Sequence, residues 1–276
     1  MERYTSKVLI PHKRPLLPAV FRARYDRFIA ELTLDGKTIE AHCVNPGRME
    51  GLIRPGSRAW VSTVPENSPR KLRYTLEMLK VKGRYIGVNT SLPDDLGETI
   101  VRAGKVPGLR RFRSLRREVR YGDNSRIDML LTQGQRLHYL EVKNCHLVYP
   151  DGGAYFPDSV STRAAKHLDE LSAVIEAGNK ASVLFTVQRD DAQFVRPSDL
   201  HDPYFAQTAR RAQRSGVRFF AACFGPSLEG FQFLGLRPVR FGHYPLAPLE
   251  RYRGERIAYS GWIRRGGRNR TADAES

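Results

Sequence analysis

The sequence contains no apolar run of about 18 residues, the minimum for a helix that spans a bilayer. Residues 1–20 are interrupted by prolines and lack the continuous apolar region of a signal peptide. Cysteine is scarce, since the three cysteines are scattered and form no CxxC pair. This pattern excludes a disulfide framework and argues against a zinc site. We therefore expect a cytoplasmic protein with reduced thiols and no membrane association.

Acidic residues are few compared with basic ones. The chain has 29 Asp+Glu against 46 Lys+Arg, a formal net charge of +17. An excess of this size favours a polyanionic partner, because cationic side chains placed against phosphates release condensed counterions. A basic but inert surface is the alternative, and no stretch is typical of a basic amphipathic membrane anchor. We expect DNA or RNA as the partner.

Residues 1–88 are dominated by short strand-like segments. Examples are FRARYDRFIAELTL and KTIEAHCV, which the turn residues Asp35-Gly36 separate. Strands and turns at this spacing predict a small β-barrel or sandwich. Arginines alternate with aromatic residues here, and Arg22, Arg24 and Arg27 are candidate nucleic-acid contacts, as in oligonucleotide-binding barrels. The alternative is that the aromatic residues form the core and the arginines are solvated.

Residues 89–240 change pattern. The segment LGETIVRAGKV is helical, and three consecutive strands follow it. A second helix is predicted over TRAAKHLDELSAVIEAG, with Ser161 as its N-cap and Gly178 as its C-terminal stop, before another strand. This order predicts a mixed α/β domain. Residues 241–276 are expected to form an irregular basic tail, a candidate nonspecific nucleic-acid arm.

The most informative segment runs from Arg126 to Lys143. Gly134-Gln135 lies between two strand-like runs, and Gly at the first central position suits a two-residue type II′ turn. In that register Asp128 lies opposite Glu141, with Cβ atoms about 5 Å apart. The other face of the hairpin is expected to be apolar and to pack into the core, with Ile127 opposite Val142, Met129 opposite Leu140 and Leu131 opposite His138.

Two opposed carboxylates destabilise a hairpin unless a cation lies between them. Mg²⁺ or Mn²⁺ is the expected ligand, held by Asp128 and Glu141. Lys143 shares a strand face with Glu141, about 7 Å away. Its ammonium could stabilise the charge that develops during phosphodiester hydrolysis. The alternative is a surface hairpin with unrelated charges.

Two further groups are candidate phosphate contacts. Arg163, Lys166 and His167 share one face of the second predicted helix, beside the acidic residues. Arg48 follows the turn Asn45-Pro46-Gly47. The alternatives are a solvated basic helix face and a purely structural turn.

The Asp, Glu and Lys arrangement is the PD-(D/E)xK nuclease pattern, with Ile127 where that motif often has proline. The chain as a whole resembles the bacterial sugar fermentation stimulation protein family over roughly residues 10–235. The resemblance rests on ordered blocks that include RYDRFIAELTLDG, AHCVNPGRMEGLIRPG, RREVRYGDNSRIDMLL, LEVKNCHL and FPDSVSTRAAKHLDEL.

This resemblance implies a small N-terminal OB-like β-barrel followed by a PD-(D/E)xK nuclease-like α/β domain. It also implies DNA binding and a role in regulating sugar utilisation. The motif transfers the nuclease positions to Asp128, Glu141 and Lys143, and adds Glu118 as a further metal ligand. Glu118 could instead pair with one of the neighbouring arginines of RREVRYG.

Two functions compete. The first is a divalent-metal-dependent nuclease acting on DNA or RNA, and the second is a noncatalytic DNA-binding regulator on a nuclease-like scaffold. The complete Asp, Glu and Lys set favours the nuclease, because a pure binder has little use for opposed carboxylates near phosphate. The sequence contains no convincing helix-turn-helix, which weakens the case for simple promoter recognition.

Overall fold

The computed structural model describes residues 8–122 and 125–265. The chain divides into two compact units. The N-terminal unit comprises Pro11–Ser91, Pro226–Gly230 and residues 245–265, and the α/β unit comprises residues 8–10, Leu92–Gly225 and Phe231–Tyr244.

Among the described residues, only strands occur before residue 91, and helices and strands are mixed after it. The strands before that point are β1 (Leu9–Pro11), β2 (Leu16–Tyr25), β3 (Ile29–Leu34), β4 (Lys37–His42), β5 (Arg58–Thr63), β6 (Tyr74–Val81) and β7 (Arg84–Gly87). The elements after it are α1 (Pro93–Arg102), β8 (Ser114–Tyr121), β9 (Ser125–Gln133), β10 (Arg136–Asn144), β11 (Leu147–Val148), β12 (Gly153–Phe156), α2 (Thr162–Glu176), β13 (Lys180–Val187), β14 (Phe194–Pro197), α3 (Pro203–Arg214), β15 (Arg218–Pro226), β16 (Gly230–Arg237) and α4 (Ala247–Arg256), which a 3-10 turn at Ile257–Tyr259 follows.

The N-terminal unit is built on one six-stranded sheet with the order β4-β3-β2-β5-β6-β7, in which β4 also pairs with β6. Asp35 and Gly36 form the predicted turn between β3 and β4, and both have positive φ, as a type I′ hairpin turn requires. The buried face carries an apolar cluster that includes Phe21, Leu32 and Leu79. This fold is the OB-like domain that the sequence predicts.

The α/β unit contains a seven-stranded mixed sheet with the order β1-β16-β15-β13-β10-β9-β8, and a small sheet of β11, β12 and β14. Apolar residues of α1, such as Leu96 and Ile100, pack with Met129 and Val142 in one cluster. Apolar residues of α2 and α3 form a second cluster with the sheet, which contains Ile127 and Phe185 among others. Helices therefore cover both faces of the central strands.

The predicted caps of the second helix are present. The Ser161 hydroxyl accepts a hydrogen bond from the Ala164 amide at the start of α2. Gly178, with a φ of 81°, follows the end of the helix, where a left-handed residue stops it. Along α2, Ala164, Leu168 and Leu171 are buried as the helical spacing predicts.

Two expectations need correction. The expected apolar face of the β9–β10 hairpin does not include Ile127, which belongs to the cluster on the α2 side, whereas Met129, Leu131, Leu140 and Val142 belong to the cluster on the α1 side. The carboxy-terminal region is not uniformly irregular, since residues 247–256 form α4 and residues 245–265 belong to the N-terminal unit. The rest of the expected tail, residues 266–276, lies outside the described residues.

The three cysteines, Cys43, Cys145 and Cys223, are free and buried, as predicted. Burial raises the pKa of each thiol, so all three remain protonated and unreactive at neutral pH. Among the helices of the described residues, none combines the length and the apolarity needed to cross a bilayer.

Candidate active site

The β9–β10 hairpin has the register that the Gly134-Gln135 turn predicts. Gly134 has a φ of 63°, and the ladder runs from Gln133 opposite Arg136 to Met129 opposite Leu140. The ladder stops one pair before Asp128. The carboxylate of Asp128 instead accepts a hydrogen bond from the backbone amide of Val142, with an Oδ2 to N distance of 2.6 Å. Asp128 is therefore held against β10 by its own side chain.

Glu118 occupies the matching position on the neighbouring strand. The β8–β9 ladder pairs Arg117 with Met129 and Val119 with Ile127, which leaves Glu118 across from Asp128 without a ladder pair of its own. Glu118 has a φ of 53°, a left-handed conformation that is rare for a non-glycine residue. Such conformations persist where the surroundings enforce them, often at functional sites.

A third carboxylate comes from α1. Oxygen atoms of Asp94, Glu118 and Asp128 all lie within 4.8 Å of one another, close enough for one cation to contact all three. Gly97 allows α1 to lie close to the sheet, because a Cβ atom there would be only 3.2 Å from Leu184 Cδ2. Arg117 holds this end of the helix, with Nη1 2.7 Å from an oxygen of Asp95.

Glu141 is almost completely buried, with 2% of its surface exposed. Its Oε1 atom accepts hydrogen bonds from Lys143 Nζ at 2.5 Å and from His167 Nδ1 at 2.6 Å. Its Oε2 atom is also buried and has no hydrogen-bond partner among the described residues. A buried carboxylate oxygen without a partner is costly, so this atom is suited to an incoming cation or water.

The carboxylates differ in their electrostatics. Burial, reinforced by the charge of Glu141, raises the pKa of Asp128 to about 7. Burial also raises the pKa of Asp94. Burial alone would raise the pKa of Glu141, but Lys143 and His167 overcome this effect and lower it. The site therefore keeps Glu141 ionised and holds an excess of negative charge that a divalent cation would relieve.

The raised pKa of Asp128 predicts that the cation-free protein loses stability as the pH rises from about 4 to about 7. The folded state holds the Asp128 proton more tightly than the unfolded chain does, so this contribution is present below the ordinary value of 3.8 and is lost as the pH passes about 7. Asp128→Asn has no such proton, and its amide oxygen can still accept from Val142. Between about pH 5 and about pH 8 in EDTA, the urea midpoint of the wild type should therefore fall more than that of Asp128→Asn. Equal changes in the two proteins would contradict the raised pKa.

A cleft of about 500 Å³ opens on these residues. Its walls are Glu118, Ser125, Arg126, Asp128, Arg163, Lys166 and His167. Arg163 and Lys166 are exposed, and Lys166 Nζ is 3.5 Å from a carboxylate oxygen of Glu170 one turn away. Cationic side chains thus flank the acidic cluster, as the spacing along α2 predicts, and this arrangement suits a phosphodiester next to a metal ion.

Two of the predicted phosphate contacts have different environments. His167 is 5% exposed and donates to Glu141, so it orients that carboxylate rather than binding phosphate directly. Arg24 is 2% exposed, and its guanidinium bonds to backbone carbonyl groups, so it is a structural residue of the N-terminal unit. The sequence pattern could not distinguish these roles, since both residues have exposed cations close to them in the sequence.

The other N-terminal candidates are more accessible. Arg22 is exposed and lies 3.4 Å from Glu31, Arg27 is exposed, and Arg48 is half-buried. These three residues belong to the N-terminal unit, whereas the acidic cluster belongs to the α/β unit. They remain candidate nucleic-acid contacts.

The sequence interpretation missed Asp94 because it began the first helix of the α/β unit at Leu96. The signal was present in the segment Pro93-Asp94-Asp95. Proline favours the first helical position, and acidic residues favour the first turn, where they interact well with the helix dipole. The helix does begin at Pro93, with both aspartates in its first turn.

Comparison with known families matches both units. Residues 91–230 match the model of the sugar fermentation stimulation protein RE domain, and residues 23–88 match the SfsA N-terminal OB domain. The chain belongs to the sugar fermentation stimulation protein family. This membership confirms the resemblance inferred from the sequence blocks, and residues 231–265 lie outside both family models.

Members of the family from several bacteria are similar over most of their length. The homologue from Geotalea uraniireducens is 43% identical over 228 residues, which cover 82% of this chain and 97% of that protein. The homologue from Thioalkalivibrio sulfidiphilus is 43% identical over 75% of this chain and 87% of that protein. A solved structure, Pyrococcus furiosus SfsA in complex with Ca²⁺, superposes with a TM-score of 0.76 and 26% identity, covering 84% of this chain and 98% of that one.

Proposed function

We propose that this member of the sugar fermentation stimulation protein family is a divalent-cation-dependent phosphodiesterase that cleaves DNA or RNA. The observation that carries the proposal is the cluster of Asp94, Glu118 and Asp128, whose carboxylate oxygens lie within 4.8 Å of one another. Glu141 and Lys143 lie on the adjacent strand, joined by a hydrogen bond of 2.5 Å.

Mg²⁺ or Mn²⁺ is the proposed cofactor. Asp94, Glu118 and Asp128 would hold it, and the unpartnered Oε2 atom of Glu141 offers a further oxygen ligand. Hard divalent cations prefer such oxygen ligands, and the Pyrococcus relative was solved with Ca²⁺. When bound, the cation supplies a Lewis acid for phosphoryl oxygens and lowers the pKa of water.

Side chains of this chain supply the remaining functions. Glu141 Oε1 fixes the Lys143 ammonium, which can then stabilise the negative charge that develops on the phosphoryl group. His167 donates to the same oxygen and so restricts the orientation of Glu141. Arg163 and Lys166, on the wall of the cleft, would bind neighbouring phosphates of the polymer.

The net charge of +17 supports a polyanionic substrate rather than a small phosphate ester. We propose DNA as the main partner and RNA as a second one. A noncatalytic DNA-binding regulator would share this charge but would have no use for Lys143 or for the carboxylate cluster. A cleavage assay therefore distinguishes the phosphodiesterase from the noncatalytic regulator.

The test is an assay of the purified full chain on labelled single-stranded DNA, duplex DNA and RNA. We expect cleavage with Mg²⁺ or Mn²⁺ and none in EDTA, whereas binding should persist in EDTA and weaken steeply with salt. Binding without cleavage under any of these cations would overturn the phosphodiesterase and favour the regulator.

A further inference from the structure

The carboxy-terminal segment of this chain lies on its N-terminal unit. Ile263 forms a parallel bridge with Tyr25 at the end of β2. The Ile263 amide donates to the Arg24 carbonyl at 2.9 Å, and the Asp26 amide donates to the Ile263 carbonyl at 3.0 Å. Residues 261–265 lie beyond both family models and pair with β2 of the OB-like domain.

The buried Arg24 side chain fixes that segment in place. Its Nε atom donates to the Arg27 carbonyl at 2.7 Å, and Nη2 donates to the Asn45 carbonyl at 2.5 Å. Its Nη1 atom donates to the Gly47 carbonyl at 2.9 Å and to the Gly261 carbonyl at 3.4 Å. One side chain thus ties the β2–β3 turn, the loop at residues 45–47 and the carboxy-terminal segment together.

Aromatic rings and arginines meet on this surface, which we call the arginine–aromatic patch and define as Arg27, Phe28, Trp262 and Arg265. The Arg27 guanidinium lies 4.8 Å from the centre of the Trp262 ring and 5.9 Å from that of Phe28. Phe28 is 41% exposed, and Trp262 is half-buried. The Arg265 guanidinium lies over the Tyr25 ring at 5.2 Å.

The turn that carries the patch has a fixed conformation. Asp26 and Arg27 both have positive φ, 44° and 67°, and the Phe28 carbonyl accepts from the Cys43 amide at 2.8 Å. Arg265 is partly neutralised, since its side chain pairs with Glu40 and its amide donates to Asp26. The Arg24 side chain fixes the Arg27 backbone through its carbonyl, and no ion pair of Arg27 is present among the described residues. Arg27 is therefore the main cation of the patch and lies beside two rings.

We propose that the arginine–aromatic patch binds single-stranded nucleic acid, with bases stacked on Phe28 and Trp262 and a phosphate held by Arg27. Exposed rings beside arginines are the arrangement that stacks unpaired bases, and the faces of bases inside a duplex are not accessible to such rings. The inference rests on the proposed action on nucleic acid, but its residues are all in the N-terminal unit, and none belongs to the acidic cluster.

Tryptophan fluorescence tests the proposal directly, because the chain has only two tryptophans and Trp60 is 3% exposed. The full chain is titrated in EDTA with oligo(dT), with a duplex of the same length and with an RNA oligonucleotide. We expect oligo(dT) to quench the emission and the duplex to quench it much less. Trp262→Phe should keep most of the affinity for oligo(dT), measured by anisotropy, but lose the fluorescence change.

Substitutions in the patch provide the second arm. Phe28→Ala and Arg27→Ala should each weaken oligo(dT) binding about fivefold to a hundredfold, the range for removing one base stack or its cation. Arg27→Ala should also make the log–log salt dependence shallower by about 0.7, one phosphate on a single strand. Tyr204→Ala, which removes a 56% exposed ring from the α/β unit, is the matched control and should bind like wild type.

Unchanged fluorescence together with wild-type affinity of Phe28→Ala and Arg27→Ala overturns the proposal, as does equal quenching by duplex. The two proposals fail separately. Cleavage by a chain that shows no quenching, with wild-type affinity in Phe28→Ala and Arg27→Ala, contradicts the patch alone. Quenching by oligo(dT) without any cleavage contradicts the phosphodiesterase alone.

Discussion

Asp128→Asn and Lys143→Ala are each expected to lower cation-dependent cleavage by about 10²–10³-fold or more, while binding in EDTA stays within about twofold of wild type. The Asp128 substitution removes an ionisable carboxylate from the three-carboxylate cluster. The Lys143 substitution removes the ammonium that bonds to Glu141 at 2.5 Å. The measurement is single-turnover cleavage of labelled DNA at saturating protein with Mn²⁺, because it separates the chemical step from binding and release.

Matched substitutions control for charge alone. Asp169→Asn removes an exposed carboxylate from α2 that pairs with Arg211, and Lys180→Ala removes an exposed lysine from the start of β13. Both should cleave at close to the wild-type rate. If Asp128→Asn combined with Glu141→Gln cleaves as well as wild type, these carboxylates are not the catalytic set and any cleavage arises elsewhere.

The second large effect is on stability and needs no substrate. A cation at about 100 times its dissociation constant should stabilise the wild-type fold by about 2.7 kcal/mol, because it binds the folded state and not the unfolded chain. Asp128→Asn should lose most of that gain. Without the cation, the same variant should be as stable as wild type or more stable by up to about 1 kcal/mol, since it removes like-charge repulsion with Glu141.

Chemical denaturation of both proteins, each with EDTA and with excess Mn²⁺, measures these differences. Asp169→Asn again serves as the control and should show the full cation-dependent gain, because its carboxylate is on the exposed side of α2. Glu118→Gln should lose part of the gain, since Glu118 offers one of the three clustered oxygens. If the cation stabilises wild type and Asp128→Asn equally, the proposed cation site is wrong, and the main support for an enzyme is lost.

Local sequence patterns were sufficient wherever a feature depends on near neighbours in the chain. Gly134 specifies the turn between β9 and β10, and that turn fixes the register of the strands through Met129 and Leu140. Ser161 and Gly178 mark the ends of α2 because capping involves residues within one turn. The division into a strand-rich N-terminal half and a mixed α/β half follows from the same periodicities.

Exposure of individual side chains was less predictable. Arg22, Arg24 and Arg27 alternate along one stretch of sequence, yet only Arg24 is buried. The reason is that segments distant in the sequence, at residues 45–47 and 261, supply the carbonyl groups that satisfy its guanidinium. A buried cation without such partners would be strongly destabilising, and no local pattern indicates where those partners will come from.

The sequence by itself determined the two units, the hairpin and the shared strand face of Glu141 and Lys143, because strand alternation places residues two apart on the same side. Only the tertiary structure decided that Asp94 joins Glu118 and Asp128, and that His167 serves Glu141. Asp94 comes from α1 and His167 from α2, and these helices cover opposite faces of the sheet. Each reaches the strand carboxylates because its helix packs closely on the sheet, which Gly97 permits for α1 and an apolar face permits for α2. Convergence of this kind depends on packing between elements, which a periodicity along one element does not encode.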